Sequence, residues 1–95
     1  MDDELSPTAI AYHRRDVLLF ASALTVDRSD PAAVTANAIA LQEWMEQGNA
    51  DDQRNRNAAL QRAHANRDYS KREPDNRPDL LIREAKAYYT FLTAV

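Results

Sequence analysis

The sequence predicts an all-α protein, a small bundle of about four helices. Three of its four prolines stand where a helix would start, and two of these directly follow a Ser or an Asp that can cap free N–H groups. The only glycine stands where a helix would end. No stretch alternates apolar and polar residues between turn signals, as a strand would. The segment boundaries are Ser6-Pro7, Asp30-Pro31, Gly48-Asn49 and Arg77-Pro78.

The first helix is predicted over Pro7–Val26, and it carries two apolar stripes. The broader stripe has helical spacing and includes His13. The thinner stripe recurs every seven residues at Tyr12, Leu19 and Val26. A helix with two apolar stripes packs against more than one neighbour, so the thinner stripe indicates self-association or a protein partner. The broader stripe consists of Ile10, Val17, Phe20, Ala21 and Leu24.

The second helix is predicted over Pro31–Gln47 and has the cleanest amphipathic pattern in the chain. Val34, Ala38, Leu41, Trp44 and Met45 share one face, with Asn37 at its edge. We expect the core to bury the large apolar side chains of three helices. The residues predicted to be mostly buried are Phe20, Leu41, Trp44, Leu81 and Leu92.

The third helix is predicted to be weak and rich in arginine. It starts near Asn49, and Asp52 three residues later makes a variant of the capping box. Over residues 53–68 Leu60 is the only large aliphatic residue, so little packing would hold this helix down. Residues 69–77 are predicted to form a charged loop, because they are too polar to bury.

The fourth helix is predicted from Pro78 to the C-terminus. Its apolar arc covers roughly 220° of the helical wheel, against the ~100° stripe of an ordinary surface helix. Such a helix is either the centre of a bundle or a shared interface. Its main stripe is Leu81, Ala85, Tyr88, Leu92 and Val95, widened by Leu80, Ile82, Tyr89 and Phe91.

Length and composition indicate a single helical domain over residues 1–95 with a small core. The chain has no cysteine, which excludes disulfides and Cys-based zinc sites and fits a cytoplasmic location. The acidic N-terminus lacks the apolar run of a signal peptide, and residues 1–5 are expected to fray. No apolar run is long enough for a membrane span.

The sequence contains none of the common catalytic or metal-binding patterns. A single glycine excludes a Gly-x-Ser-x-Gly elbow and the glycine-rich phosphate loops. His13 and His64 are the only histidines, and neither has further ligands at metal-binding spacing. His13 is predicted to be a semi-buried structural residue and His64 a surface residue. We therefore expect no catalytic residues, no metal and no cofactor.

An arginine-rich segment at residues 53–77 holds seven basic residues against three acidic ones, although the whole chain has a formal net charge of −3. Guanidinium groups bind carboxylates and phosphates in bidentate fashion. Three interpretations remain open: a solvated surface, a docking site for a protein partner, or a nucleic-acid contact. The arginines predicted to bind a partner are Arg54, Arg56, Arg62 and Arg67.

The predicted function is a non-enzymatic protein–protein interaction module. It would be a small regulator, inhibitor or assembly adaptor, of the kind that phages and mobile elements encode as accessory proteins, and it could act as a homodimer. The alternative is a nucleic-acid-associated regulator that acts through residues 53–77. Aromatic residues favour interfaces, so the predicted partner-binding residues also include Tyr88, Tyr89 and Phe91.

Overall fold

The computed structural model describes residues 4–67 and 77–94. These residues form four α-helices, as the sequence predicted, and contain no strand. The predicted loop at 69–77 lies outside the described residues, apart from Arg77, and so do residues 1–3 and Val95. The helices are α1 (Pro7–Leu24), α2 (Pro31–Met45), α3 (Ala50–Asn66) and α4 (Pro78–Thr93).

Capping side chains set the helix starts. The Ser6 hydroxyl accepts a hydrogen bond from the Ala9 N–H at 3.2 Å, and the Asp30 carboxylate accepts one from the Ala32 N–H at 3.0 Å. At α3 the capping box is complete. The Asn49 side chain accepts from the Asp52 N–H at 2.9 Å, and the Asp52 carboxylate accepts from the Asn49 N–H at 3.1 Å. These groups satisfy N–H donors that the helix itself leaves free.

The helices α1, α2 and α4 end earlier than predicted, and α4, which was predicted to reach the C-terminus, ends at Thr93. The sequence extended α1 to Val26, but the helix ends at Leu24 because Thr25 adopts an extended conformation. The Ala21 carbonyl accepts both the Thr25 N–H at 3.0 Å and the Thr25 hydroxyl at 2.5 Å, and this hydroxyl accepts from the Asn37 amide at 2.9 Å. The second helix was predicted to reach Gln47 and ends at Met45.

Gly48 makes the turn between α2 and α3. Its φ of +81° lies in the left-handed region, which side chains with a Cβ avoid. A Cβ at this position would also collide with the Asp52 side chain, which is held in the capping box. Glycine is therefore required here by the backbone and by the start of the next helix.

Side-chain contacts give the helix arrangement. Arg14 on α1 meets Glu46 at the end of α2, whereas Thr25 just after α1 meets Asn37, so α1 and α2 run antiparallel. Asp16 bonds Asn57 and Gln61 of α3, and Phe20 stacks on His64, so α1 and α3 run in the same direction. The most extensive packing is between α3 and α4.

All four helices contribute to one hydrophobic core. Phe20, Leu41, Trp44 and Leu81 are buried as predicted. The prediction for Leu92 was wrong, because this side chain is 44% exposed. It lies on the same face of α4 as Leu81 and Ala85, and burial falls along that face towards the C-terminus. The α4 stripe therefore extends beyond the neighbours that cover its first half.

Two other positions, Leu5 and His64, are more buried than the sequence predicted, and a third, Asn57, was not assigned to the core. Leu5 is buried, although the sequence grouped it with a frayed terminus. His64 is half-buried against Phe20, with ring centroids 4.7 Å apart, and is not a surface residue. On α3 the polar Asn57 is buried beside the Met45 sulfur, and its amide donates to Asp16 at 3.3 Å.

Candidate protein-binding surface

The four arginines predicted to bind a partner lie on two different sides of α3. Arg54 and Arg62 point to solvent. Arg54 forms an ion pair with Asp51 at 2.7 Å, one turn away on the same helix. Such exposed pairs leave the guanidinium accessible and contribute little to stability. Arg56 and Arg67 are partly covered by other helices.

Arg56 joins three helices. Its guanidinium carbon lies 4.8 Å from the ring centroid of Trp44 on α2 and 4.4 Å from that of Tyr89 on α4. One guanidinium N–H donates to the Trp44 carbonyl at 3.2 Å. Cation–π contacts of this kind stabilise packing when they are removed from water. Arg56 and Tyr89 therefore hold the bundle together and leave little of their polar surface for a partner.

Arg67 and Tyr88 also take part in contacts between helices. Arg67 pairs with Glu84 of α4 at 3.2 Å, and the Asn66 amide donates to the Tyr88 hydroxyl at 2.8 Å. Both contacts tie the end of α3 to α4. Of the predicted partner-binding residues, the fully exposed ones are therefore Arg54, Arg62 and Phe91. The two arginines lie on α3 and Phe91 lies on α4, so the three do not share one helix.

Phe91 is the most exposed large apolar side chain of the described residues, at 81%. Leu92 beside it is partly exposed as well. These two residues make a small apolar patch at the end of α4. Their neighbours Thr90 and Thr93 turn their hydroxyls back to helix carbonyls, so these hydroxyls do not make the patch more polar.

The outer side of α1, with Val26 just beyond its end, holds four of the seven large apolar side chains that are exposed among the described residues. The thinner stripe of the sequence faces solvent here, with Tyr12 at 60%, Leu19 at 61% and Val26 at 65% exposure. Leu18 broadens it on one side and is 50% exposed. A surface helix normally presents charged or polar residues on this side. We call Tyr12, Leu18, Leu19 and Val26 the α1 outer face.

The α1 outer face has few charged neighbours. The Arg15 guanidinium lies 5.6 Å from the Tyr12 ring centroid, and the exposed Asp27 directly follows Val26. The remaining neighbours on that side are small: Thr8, Ala11, Ser22 and Ala23. A shallow depression next to it is lined by Pro7, Thr8, Ala11, Tyr12 and Arg15.

Polar contacts on both flanks fix the orientation of α1. On one flank the Arg14 guanidinium donates to both carboxylate oxygens of Glu46, at 2.8 and 3.2 Å. This hydrogen bond holds the pKa of Glu46 below its ordinary range, although partial burial works in the opposite direction. On the other flank Asp16 accepts from Asn57 and Gln61. The α1 outer face is therefore displayed on a helix that is anchored to α2 and α3.

The described residues contain no cluster of metal-ligating side chains. Among residues 4–67 and 77–94, no three His, Asp or Glu side chains come close enough to share one. His13 and His64 are half-buried, and the rings of Phe20 and His64 stack on each other. The Nδ1 atom of His13 and the Nε atom of Arg56 are buried without a hydrogen-bond partner among the described residues.

Comparison of the chain with models of protein families, with curated proteins and with solved structures found no match. Across the part of the chain that the structure describes, no helix combines the length and apolarity needed to cross a bilayer.

Sequence reasoning identified the stripe Tyr12-Leu19-Val26 but missed two exposed apolar residues, Leu18 and Ile39. Leu18 lies next to Leu19 in an apolar run, so no pattern distinguishes it from a core residue. Ile39 is 48% exposed on α2, on the side away from Leu41. Its position on the wheel, about 160° from Leu41, would have indicated this.

Proposed function

We propose that this protein is a non-enzymatic protein–protein interaction module that docks through the α1 outer face. One observation carries the proposal: Tyr12 and Leu19 are each more than half exposed on one side of an anchored helix, and Val26 is equally exposed just beyond its end. Single exposed apolar residues are ordinary, but several of them grouped on one side are typical of an interaction surface.

The composition of this face fits a protein surface better than other ligands. Tyrosine and leucine supply apolar area, and tyrosine adds a hydroxyl that can reach a polar rim. The small flanking residues Ala11, Ser22 and Ala23 permit another backbone to approach closely. Arg15 supplies one cation at the centre of the face, where it can pair with a carboxylate of the partner.

The role that follows is that of a small regulator, inhibitor or assembly adaptor. Such a protein works by occupying a surface, so a rigid helix that presents one apolar face is sufficient. The Phe91-Leu92 patch at the end of α4 offers a second, smaller contact. The nucleic-acid alternative has less support, because Arg56 and Arg67 are already engaged with Trp44, Tyr89 and Glu84.

A charge placed in the middle of the α1 outer face tests the proposal. Leu19→Asp should abolish binding of a protein partner, because a carboxylate would have to lose its water on docking. The matched control is Ile39→Asp, which puts the same charge at a similarly exposed position on another helix. Circular dichroism should show both variants folded.

Binding is read by tagged pulldown from a lysate of the native host, together with light scattering of the purified chain. We expect the wild type and Ile39→Asp to bind the same species and Leu19→Asp to lose it. If Leu19→Asp binds as the wild type does in both assays, the α1 outer face is not the docking surface.

A further inference from the structure

We infer that Asn57 selects which face of α3 packs against the other helices, a choice that apolar packing leaves poorly determined. The ambiguity comes from the alanines of α3, which lie on both sides of the helix. Ala59 and Ala63 are fully buried, whereas Ala58 and Ala65 are exposed. Because an alanine side chain has little apolar area, a rotation that exchanges one pair for the other changes the buried area only slightly.

Leu60 is the one large aliphatic side chain of α3, and it is fully buried. It restricts the rotation of the helix, but the hydrophobic effect that holds it has no direction. A hydrogen bond does have a direction, because it weakens steeply when the donor turns away from the acceptor. The polar contacts of α3 are therefore better suited than Leu60 to fix how the helix is turned about its axis.

Asn57 makes such contacts from a buried position, with 6% of its surface exposed. Its amide nitrogen lies 3.3 Å from the Asp16 carboxylate of α1 and 3.6 Å from the Met45 sulfur of α2. Gln61, one turn further along α3, donates to the same Asp16 oxygen at 3.1 Å. Two amides four residues apart thus bind one carboxylate, and both bonds form only while this side of α3 faces α1.

The same groups penalise other rotations of α3. Turning the helix by one residue, or about 100°, takes the Asn57 amide away from Asp16. Asp16 is half-buried, so its carboxylate would lose a donor that water replaces only in part. Asn57 favours the native rotation through this penalty and not through a net gain in stability. A single buried asparagine fixes the register of a coiled coil in the same way.

The rotation decides which arginines of α3 face solvent. In the native rotation Arg54 and Arg62 are exposed, and Arg56 packs against aromatic rings of α2 and α4. The long side chain of arginine can reach a partner from more than one backbone position, whereas the short side chain of asparagine follows the backbone closely. Asn57 is therefore the stricter constraint, and it positions the exposed arginines without touching them.

Thiol labelling at two neighbouring positions measures the rotation, and the absence of natural cysteine makes it selective. In the chain that keeps Asn57, Ala58→Cys should react quickly with iodoacetamide and Ala59→Cys slowly, because position 58 is exposed and position 59 is fully buried. The ratio of the two labelling rates reports which side of α3 faces solvent. Adding Asn57→Leu, which removes the hydrogen bonds but keeps a side chain of similar shape, should reduce this ratio at least about 10-fold.

Urea denaturation of the same variants gives the fraction of unfolded chain, which also labels. The midpoint of Asn57→Leu should stay close to that of the wild type, because leucine gains apolar burial and Asp16 keeps Gln61 as a donor. The matched control is Asn37→Leu. Asn37 is half-buried on α2 and donates to the Thr25 hydroxyl, so its loss should leave the labelling ratio on α3 unchanged.

The decisive quantity is the labelling rate at position 59 in Asn57→Leu. A rate beyond what the unfolded fraction accounts for supports the inference. A rate no higher than that overturns it, since Asn57 would then contribute stability alone. The same excess in Asn37→Leu also overturns it, because loss of any half-buried amide would then loosen α3. If Ala59→Cys does not fold, the buried Ala63→Cys and the exposed Ala65→Cys give the same comparison one turn along.

Discussion

Leu41 and Leu19 carry the same side chain in opposite surroundings, which makes them a matched pair. Leu41 is fully buried in the core, whereas Leu19 is mostly exposed. Leu41→Ala should lower the free energy of unfolding by about 2–5 kcal/mol, because it removes buried methyl groups and leaves a cavity. Leu19→Ala should change it by less than about 0.5 kcal/mol.

Urea denaturation at about 5 µM measures both variants below the concentration at which copies would associate. A domain of this size has only about 5–15 kcal/mol of stability, so Leu41→Ala should shift the midpoint strongly. Equal effects at the two positions would mean that the solution fold does not bury Leu41 and expose Leu19 as described.

His64 should make stability depend on pH. Burial against Phe20 lowers the pKa of His64 below its ordinary value. The unfolded chain therefore takes up a proton as the pH falls through about 6.5, and the folded chain resists it. Because the unfolded state binds more protons, this stability is fully present above pH 6.5 and is lost progressively at lower pH.

The measurement compares the wild type with His64→Gln between pH 7.5 and pH 5. The free energy of unfolding of the wild type should fall over this range, and the slope should be smaller in the variant. The slope is the quantity to compare, since the variant also loses the ring contact with Phe20. An identical slope in both proteins would show that His64 does not contribute.

The start of α3 depends on its capping box more than the other helix starts depend on their caps. Two side-chain hydrogen bonds close this start, whereas Ser6 and Asp30 each accept only one at theirs. Asn49→Ala removes the side-chain acceptor for the Asp52 N–H and should cost about 1 kcal/mol. Asn49→Asp should retain most of the stability, because aspartate caps as well as asparagine does.

Thermal melting followed by circular dichroism distinguishes these two variants. Asn49→Ala should melt several degrees below the wild type, by about 4–8 °C per kcal/mol for a domain of this size. If Asn49→Asp melts as low as Asn49→Ala, the loss comes from the turn at Gly48 and not from the missing acceptor.

Most of the fold could be predicted at the level of elements because local rules decide it. Proline in the first turn, the Ser6 and Asp30 caps and the left-handed Gly48 act through the backbone of their own segment, so the sequence displays them directly. The end of α1 could not be predicted in the same way. It is set by Thr25 and its bond to Asn37, which depends on how α1 and α2 pack.

The candidate surface was predictable only in part, for a related reason. Helical spacing separates Tyr12 and Leu19 from the core stripe, and the structure exposes both. The same reasoning cannot tell an arginine in solvent from one between two aromatic rings. Arg56 differs from Arg54 only through the positions of Trp44 and Tyr89, which belong to other helices. Leu92 is exposed because the other helices cover only the first half of the apolar stripe on α4.

On the scale of the whole molecule, other helices partly cover two of the four arginines predicted to bind a partner, Arg56 and Arg67. Arg54 and Arg62 are exposed, so replacing both by Gln should leave the melting temperature nearly unchanged. If they steer an acidic protein partner, association should become slower. If these arginines bind nucleic acid, the affinity of the wild type should fall steeply with added salt, and the double variant should bind more weakly than the wild type.

The matched control is the double variant Arg28→Gln and Arg83→Gln, which removes the same charge from two other exposed positions. Gel-shift titration at two salt concentrations measures nucleic-acid binding. Surface plasmon resonance with the captured protein partner measures the association rate. If both double variants behave alike, only net charge matters, and the arginines of α3 have no specific role.

If two copies of the chain pair through the α1 outer face, stability should depend on protein concentration. Anything that binds the folded chain and not the unfolded one stabilises it by mass action, and a second copy would act as such a ligand. With an unfolding enthalpy of about 0.7 kcal/mol per residue, the melting temperature should then rise by about 4 °C for each tenfold increase once the dimer dominates. Leu19→Asp should melt at one temperature from 10 µM to 1 mM. Ile39→Asp, with the same added charge on α2, should follow the wild type. A wild-type melting temperature that does not change over this range would mean that the exposed row of Tyr12, Leu19 and Val26 is not used between copies, whatever else it binds.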